Sequence, residues 1–232
     1  MGETRFERAL IVGAGQGLSA SLARLFAGEG MRVALAARHP EKLDALRAQT
    51  GAHTFACDAV KPDEVGRLFS AVDSEMGQPE VVVYNASARV RGAFIDLDPA
   101  AVERAIAVTA YGAFLVAQHA ARRMLANRRG AIFFTGASAS IKGYPQSASF
   151  AMGKFALRGL AQSMARELAP QGIHVAHFVI DGGIAQPGRI TPAGTDSLLD
   201  PDAIASNYLH VLRQPRSAWT WEMELRPWVE KF

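Results

Sequence analysis

The 232-residue chain is 49% hydrophobic and 20% charged, values that are ordinary for a globular protein the size of an enzyme. Its net charge of +3 is too small to indicate nucleic-acid binding, and its single cysteine, Cys57, excludes an internal disulfide or a cysteine-based zinc site. The N-terminal residues lack the apolar core of a signal peptide, and no uninterrupted apolar run approaches the ~20 residues that span a bilayer. We therefore expect a cytoplasmic protein with no metal, membrane or nucleic-acid partner.

Short apolar runs alternate with helical stretches along the chain. Seven strands are predicted, and their first residues are Arg8, Met31, His53, Glu80, Gly130, Ile173 and Ala218. The predicted helices cover residues 18–28, 40–49, 62–76, 98–127, 147–170 and 201–213. Strands separated by single helices indicate β-α-β units and a parallel sheet. The pattern predicts an α/β fold with a single doubly wound domain over residues 1–232, a seven-stranded parallel sheet and helices on both faces.

A glycine-rich loop follows the first predicted strand, at a strand end where doubly wound folds bind ligands. Its sequence is Gly13-Ala14-Gly15-Gln16-Gly17-Leu18-Ser19. Glycines let the backbone turn tightly and approach a pyrophosphate, and the helix that follows offers its N-terminus to the negative charge. Between a buried strand and an amphipathic helix, this loop predicts dinucleotide binding by a Rossmann domain, with a tight structural turn as the alternative. The expected contacts are Gly13, Gly15, Gln16, Gly17 and Leu18.

The end of the second strand selects the adenosine ribose of a dinucleotide. An acidic residue there would accept hydrogen bonds from a 2′-hydroxyl and repel a 2′-phosphate. Residues 36–39 are AARH, without a carboxylate, and the planar fork of Arg38 can pair with a phosphate. The sequence therefore predicts NADP rather than NAD, unless Arg38 is an ordinary surface charge. Asp58, which follows the third strand and precedes Ala59, is expected to meet the adenine amino group.

With these features in view, the chain resembles the short-chain dehydrogenase/reductase family over essentially its full length. Residues 13–19 are similar to the family's TGxxxGxG loop, and residues 84–87, YNAS, are similar to its NNAG motif. Residues 181–184, DGGI, stand where the family has a PG loop beside the nicotinamide, with Asp181 in place of the proline. Residues 150–154, FAMGK, lie where the family has YxxxK. The resemblance implies four further cofactor-binding residues: Asn85, Ala86, Gly182 and Ile184.

The resemblance also implies where the catalytic residues should stand. In the family an asparagine, a serine, a tyrosine and a lysine act together; the tyrosine is the general acid, and the lysine lowers its pKa and holds the nicotinamide ribose. These positions fall on Thr109, on Ala137 or (with a one-residue gap) Ser138, on Phe150 and on Lys154. Only the lysine is intact. Because phenylalanine has no proton to give, and general acid–base catalysis is worth ~10²–10⁴ in rate, cofactor binding follows more directly than carbonyl chemistry.

Another group must supply the proton if the protein reduces a carbonyl. Lys154 together with Ser138 is the first candidate, because desolvation can lower the pKa of a lysine. Tyr144, in the loop before the predicted helix, is the second candidate, with an ordinary loop aromatic as the alternative. For Ser138 and its neighbour Ser140, the alternative is a hydrogen bond to local backbone groups in a turn.

A small-molecule substrate and a second copy of the chain are the expected partners. The expected substrate pocket comprises residues 87–94, 138–144, 150 and 183–195. Small side chains along residues 98–127 and 147–170 let helices approach closely, and in the resembling family these two helices build the dimer. We expect a homodimer, or a homotetramer formed through the C-terminal strand and its tryptophans.

Two functions follow from these residues. The first is an NADP-dependent oxidoreductase that transfers a hydride to or from a carbonyl, an alcohol or an activated double bond. The second is an NADP-binding protein with little or no dehydrogenase turnover, acting as a sensor or an assembly partner. Phe150, Thr109 and Ala137 favour the second function, whereas Asn85 and Lys154 argue against a bare scaffold that binds no cofactor.

Overall fold

A seven-stranded sheet forms the centre of the protein, which we describe from a computed structural model over residues 5–186 and 196–230. The strands are β1 Arg8–Val12, β2 Arg32–Ala37, β3 His53–Ala56, β4 Val81–Tyr84, β5 Gly130–Thr135, β6 Ile173–Ile180 and β7 Glu222–Leu225. Their order is β3-β2-β1-β4-β5-β6-β7, and every neighbouring pair is parallel. The predicted α/β fold with a seven-stranded parallel sheet is confirmed.

Helices cover both faces of this sheet. They are α1 Leu18–Gly28, α2 Asp44–Thr50, α3 Pro62–Met76, α4 Pro99–Ile106, α5 Gly112–Asn127, α6 Ala148–Leu168 and α7 Pro201–Leu212. Side chains alternate across each strand, so Ile11 of β1 joins one hydrophobic core and Leu10 joins the other. The first core includes Phe26 of α1 and Tyr208 of α7, and the second includes Phe69 of α3. Strands buried on both faces explain the uninterrupted apolar runs in the sequence.

The predicted helix over residues 98–127 is interrupted. A π-helix, Ala107–Tyr111, lies between α4 and α5. The Tyr84 hydroxyl donates a hydrogen bond of 2.5 Å to the carbonyl of Val108 inside this widened turn. A Cβ at Gly112 would lie only 2.5 Å from that hydroxyl, so the glycine makes room for the contact. Such bulges are frequent at functional sites, and apolar periodicity on either side does not indicate them.

Some predicted boundaries also differ from the observed ones. The last strand covers only Glu222–Leu225, and a 3-10 turn, Arg216–Ala218, occupies the start of the predicted strand. The helix predicted from residue 40 begins with another 3-10 turn, Pro40–Leu43, before α2. Short terminal turns of this kind do not change the apolar pattern on which the predictions depend.

One stretch, Pro99–Asn127, is long and apolar enough to cross a bilayer by length and composition alone. Buried helices in the cores of water-soluble proteins meet the same criterion. Eight of the sixteen residues of α5 are buried inside this protein.

Candidate active site

A cavity of about 480 Å³ lies at the carboxyl ends of β1 to β4, where the strand order reverses. This reversal is where doubly wound folds bind their ligands. Eight of the predicted cofactor-binding residues line the cavity: Gly13, Gly15, Gln16, Arg38, Asp58, Ala59, Asn85 and Ala86. The other five lie outside its lining: Gly17, Leu18, Lys154, Gly182 and Ile184.

Gly13 makes the turn that leads the chain from β1 into the cavity. Its φ is +84°, a region that favours glycine, and a Cβ on it would lie 2.4 Å from the backbone nitrogen of Ala86. The N–H groups of Gly13 and Ala14 both donate to the carbonyl of Ala36, at 2.9 and 3.0 Å. A glycine is therefore required here both by backbone conformation and by the close approach of the segment after β4.

The N-terminus of α1 directly follows this turn. Its N-cap is Gly17, which has no side chain to accept the first N–H groups of the helix. A Cβ on Gly15 would meet no atom within 4 Å, so the backbone there faces open space. Leu18 is buried in the hydrophobic core, and only its backbone belongs to the helix start. The helix end is therefore suited to an anion.

Asn85 fixes the glycine loop from the neighbouring strand end. Its Nδ2 donates to Ser19 Oγ at 2.7 Å, and that hydroxyl donates to the carbonyl of Gly13 at 3.1 Å. The N–H of Asn85 also donates to the carbonyl of Val12 at 2.8 Å. Asn85 thus lines the cavity while holding the turn that forms its floor.

Three basic residues, Arg38, His39 and Lys42, line the cavity beyond β2. Arg38 is exposed, and its guanidinium has no ion pair or hydrogen bond within residues 5–186 and 196–230. Lys42 was not among the predicted residues; it reaches the cavity because the turn Pro40–Leu43 folds the chain back after β2. In the sequence, its position four residues after Arg38 indicates that the two cations can lie near each other. Two cations are therefore available to an anion at this end of the cavity.

The turn after β3 contributes Asp58 and Cys57 to the cavity. Asp58 Oδ1 accepts a hydrogen bond from the N–H of Val60 at 3.3 Å, and the Asp58 N–H donates to Glu64 Oε2 at 2.7 Å. These bonds fix the turn and leave the second carboxylate oxygen of Asp58 for a ligand. Cys57 is buried, and desolvation raises the pKa of its thiol to about 11. The thiol is therefore protonated at neutral pH.

Thr109, at the family's asparagine position, lies in the π-helix and is completely buried. Its Oγ1 accepts a hydrogen bond of 3.1 Å from the N–H of Ala88. A Cβ on Gly153 would lie 2.9 Å from the Thr109 Cβ, so this glycine allows α6 to pack closely against the π-helix. Thr109 therefore connects the loop after β4 to the π-helix and lies against α6.

Lys154 is buried in α6, and its ammonium donates to the carbonyl oxygen of Thr135 at 2.6 Å. No carboxylate among the described residues pairs with it to offset its desolvation. Burial consequently lowers its pKa to about 7. Lys154 therefore exchanges its proton near neutral pH.

Phe150, one helical turn before Lys154, is contacted by two cationic side chains. Its ring centroid lies 5.7 Å from Lys154 Nζ and 4.9 Å from Arg89 Cζ. Arg89 Nη2 also donates to Ser147 Oγ at 2.5 Å. Arg89 belongs to the predicted pocket segment 87–94, but no local motif distinguishes it from its neighbours.

The two serines before α6 differ in their hydrogen bonding. Ser140 is fully buried, and its Oγ accepts a bond of 3.1 Å from the N–H of Ala137 and lies 3.3 Å from His177 Nε2. It therefore satisfies local backbone, the alternative considered for it. Ser138 is half-buried, and its hydroxyl has no hydrogen bond in the described part of the chain. The Ser138 hydroxyl remains available to a ligand.

Tyr144 lies beside a cluster of charged residues. Its ring is exposed, with the centroid 5.9 Å from Lys142 Nζ. Lys142 Nζ lies 3.3 Å from the buried carboxylate of Asp181, and Arg226 lies 3.2 Å from the same carboxylate oxygen. The two cations compensate the aspartate that stands in the family's proline position.

The backbone after β6 packs against the C-terminal segment. Gly182 has a φ of +148°, and a Cβ on it would lie 2.7 Å from Cδ of Pro227. Ile184 forms a parallel β-bridge with Leu199. These contacts fix residues 182–184 beside the site, whereas residues 187–195 of the predicted pocket lie outside the described residues.

Together these residues suit a phosphorylated nucleotide. Gly13 and Gly15 leave a bare backbone, and the first turn of α1 has N–H groups without a capping side chain. Arg38 and Lys42 provide positive charge with no internal anion to displace. A dinucleotide needs such features for its pyrophosphate and for a ribose phosphate.

Comparison with known proteins agrees with this architecture. The family model described as short chain dehydrogenase matches residues 7–188. A short-chain dehydrogenase/reductase of Armillaria gallica is 34% identical over 179 residues, which cover 73% of this chain and 68% of the relative. The 3-oxoacyl-(acyl-carrier-protein) reductase MabA of Mycobacterium tuberculosis is 31% identical over 175 residues, covering 75% of this chain and 68% of that protein.

Solved structures give the same result. A short-chain dehydrogenase from Rhodopseudomonas palustris is 37% identical with a TM-score of 0.83, and the match covers 97% of this chain and all of that one. A metagenomic short-chain oxidoreductase in complex with NADP is 27% identical with a TM-score of 0.84, covering 95% of this chain and 97% of that one. The chain therefore belongs to the short-chain dehydrogenase/reductase family of oxidoreductases.

Proposed function

We propose that the protein is an NADP-dependent oxidoreductase that acts on a small carbonyl or alcohol. The observation that carries this proposal is the cavity at the ends of β1 and β2, where a bare glycine backbone faces Arg38 and Lys42, two cations without an anionic partner among the described residues. The absence of a carboxylate from residues 36–39, at the end of β2, favours a 2′-phosphate over a 2′-hydroxyl. The relative solved in complex with NADP supports the same cofactor.

The chain's own residues would share the work of binding. The backbone of Gly15 and Gln16 and the N-terminus of α1 would hold the pyrophosphate, while Arg38 and Lys42 would pair with the 2′-phosphate. Asp58 would accept a hydrogen bond from the adenine amino group. When bound, NADPH supplies the hydride for reduction, and NADP⁺ accepts it for oxidation.

Lys154 is the proposed source of the proton for carbonyl reduction. With a pKa lowered to about 7 by burial, it is neither permanently charged nor permanently neutral at physiological pH, as a general acid requires. One of its N–H groups is held by the Thr135 carbonyl, which leaves the others for substrate, water or cofactor ribose. The unpaired hydroxyl of Ser138 would hydrogen-bond the substrate oxygen. Phe150 contributes a wall of the site and no proton.

The second candidate function is NADP binding with little or no turnover, as in a sensor or assembly partner. Phe150 favours it, because a phenyl ring cannot act as the acid that the family's tyrosine provides, and Thr109 also departs from the family's asparagine. The two candidates share a cofactor site and differ only in whether Lys154 suffices as an acid.

One set of measurements separates the two. NADPH and NADH binding would be followed by cofactor fluorescence, and turnover would be measured on carbonyl and alcohol panels with wild type, Phe150→Tyr and Lys154→Met. We expect wild type to bind NADPH and turn over, and Lys154→Met to lose turnover by ~10²-fold or more. Turnover by the Phe150→Tyr variant alone would favour the second candidate. Failure of wild type to bind either cofactor would refute both.

We also propose that the protein is a homodimer formed through the helices around α5 and α6. Four large apolar side chains on these helices are exposed in the single chain: Tyr111, Phe114, Met152 and Phe155. Exposed Trp221 and Trp228 near β7 would serve a second contact in a homotetramer. Light scattering after size-exclusion chromatography would distinguish these states, and a monomer at micromolar concentration would contradict the proposal.

A further inference from the structure

Arg89 is an arginine fixed over the ring that replaces the family's catalytic phenol. Its guanidinium carbon lies 4.9 Å from the Phe150 ring centroid, and Nη2 donates to the buried hydroxyl of Ser147 at 2.5 Å. Guanidinium groups stack favourably on aromatic faces, and this arrangement leaves their edges free to donate hydrogen bonds. The guanidinium is therefore positioned at the site by two independent contacts.

The backbone on both sides of Arg89 is also held. The Ala88 N–H donates to Thr109 Oγ1 at 3.1 Å. On the other side, Ser149 Oγ accepts a bond of 3.0 Å from the Val90 N–H and lies 2.9 Å from the Val90 carbonyl oxygen, to which it donates. Thr109 and Phe150, which stand at the family's asparagine and tyrosine positions, thus both contact the Arg89 segment. Thr109 and Phe150, which replace the family's asparagine and its acid, therefore also hold Arg89 in place.

No anion among the described residues accounts for the guanidinium. Within the described residues Arg89 has no carboxylate partner, and the charged group that shifts its pKa is another cation, Arg91. Residues 187–195, PGRITPAGT, include no acidic residue that could reach it. Desolvation, and then the charge of Arg91, lower the pKa of Arg89 without removing its charge at neutral pH. Arg89 is exposed to solvent, and a fixed, accessible cation with no partner among the described residues is suited to an anionic ligand.

We propose that Arg89 binds a carboxylate of the substrate, so that the substrate class is a carbonyl or alcohol compound bearing a carboxylate group. This inference rests on the proposed function, because it places the carboxylate on the molecule that is reduced or oxidised beside Lys154. Planar geometry is the reason for preferring a carboxylate, since the free edge of a stacked guanidinium matches two coplanar oxygens.

Two probes of one size test the binding site without turnover. Benzoate and its neutral counterpart benzamide would be titrated against the full-length protein, with and without NADPH, by ligand-observed NMR. We expect benzoate to bind and benzamide to bind at least ~10-fold more weakly. Arg89→Met should weaken benzoate binding by ~10- to 100-fold, the value of a charged hydrogen-bonded pair, while Arg89→Lys retains part of it. NADPH fluorescence of each variant, expected to be unchanged, reports folding and cofactor binding separately.

Arg91→Met is the matched control, because it removes the same charge two residues away from a side chain that does not contact Phe150 or Ser147. We expect it to change benzoate affinity by no more than ~2-fold, because an exposed charge that no contact holds in place contributes little. An equal loss in both variants would overturn the proposal in favour of a diffuse basic surface. Stronger, Arg89-dependent binding of phenylphosphonate than of benzoate would overturn the choice of a carboxylate.

A matched pair of aldehydes tests the role of Arg89 during turnover. The distal group is a charged carboxylate in 4-carboxybenzaldehyde and a neutral methyl ester in methyl 4-formylbenzoate. Arg89→Met should lower the preference in kcat/KM for the acid over the ester by at least ~10-fold. If NADPH binds normally but benzoate and benzamide bind alike, the proposal about Arg89 fails and the proposed function stands. If NADPH does not bind, the proposed function fails whatever benzoate does.

Discussion

Lys154 places its ammonium 5.7 Å from the centroid of the Phe150 ring, in the position where the family pairs this lysine with a phenol. The ring face attracts a cation only weakly, and no carboxylate among the described residues assists it. Burial therefore sets the protonation of Lys154 and lowers its pKa to about 7. In the family this lysine lowers the pKa of a tyrosine. Here the lysine itself has a pKa near neutral and can exchange its own proton.

Lys154→Met should remove a pH dependence of folding stability. An unfolded lysine keeps its proton to about pH 10.5, whereas folded Lys154 releases its proton near pH 7. Between these values the unfolded state binds more protons, so the free energy of unfolding of wild type rises with pH by at most about 1.4 kcal/mol per unit. Urea unfolding from pH 6.5 to 9.5 measures this slope.

The variant minus wild-type difference isolates Lys154 from other groups that titrate in the same window. The free energy of unfolding of Lys154→Met, relative to that of wild type, should be most favourable at the acid end of the range. This relative advantage should disappear as pH rises. A difference that stays constant across the range would mean that Lys154 remains protonated in the folded protein.

Gly13→Ala and Gly15→Ala should separate folding from cofactor binding. The Gly13 methyl would meet the Ala86 backbone at 2.4 Å in a region of positive φ, and we expect it to destabilise the fold by about 2–3 kcal/mol. The Gly15 methyl meets no protein atom within 4 Å, so the free energy of unfolding of that variant should lie within about 0.5 kcal/mol of the wild-type value. The variant should nevertheless bind NADPH more weakly. Urea unfolding and cofactor fluorescence measure the two effects. Wild-type NADPH affinity in Gly15→Ala would argue against a pyrophosphate at this backbone.

The double variant Arg38→Ser, Lys42→Ser should lose its preference for NADPH. Both cations line the cavity beyond β2 without an internal anion, and each pairing with a 2′-phosphate contributes about 1.5–3 kcal/mol. We expect NADPH affinity to fall by at least ~10-fold and NADH affinity to change little. Arg47→Ser, on the exposed side of α2 and away from the cavity lining, is the control and should leave both affinities unchanged. An equal fall for both cofactors in the double variant would mean that the cations hold a group common to both.

The sheet and the glycine loop were predictable because they depend on local patterns. Strands such as β4 are uninterrupted apolar runs, and the turn at Gly13 is imposed by residues next to it in sequence. The strand order reverses beside this turn, so a β-α-β series with its first loop rich in glycine already indicates where a ligand binds.

Arg89 and the π-helix were not predictable in the same way. Arg89 bonds Ser147, 58 residues later, and its orientation follows from the packing of the loop after β4 on α6. The π-helix depends on the Tyr84 hydroxyl, which lies 24 residues before the carbonyl it contacts. Side-chain contacts over such separations follow from tertiary packing, which periodicity and propensity do not encode.

His177→Asn should reduce the fall in the free energy of unfolding that occurs as the solution becomes acidic. His177 is fully buried in β6, with Nδ1 3.1 Å from Glu222 Oε2 and Nε2 3.3 Å from Ser140 Oγ. Burial lowers its pKa to about 4, and this effect outweighs the opposing one of Glu222. The unfolded histidine protonates near pH 6.5, so stability that is present above pH 6.5 is lost as pH falls toward 4.

That loss amounts to at most about 3 kcal/mol for His177 in wild type, and asparagine, which can still donate to Glu222, should abolish it. Unfolding free energies from pH 4 to 7 measure the effect. His210→Asn, which replaces an exposed histidine of α7, is the matched control and should keep the wild-type slope. If His177→Asn also keeps that slope, His177 is protonated in the folded protein, and its bond to Glu222 is an ion pair strong enough to overcome burial.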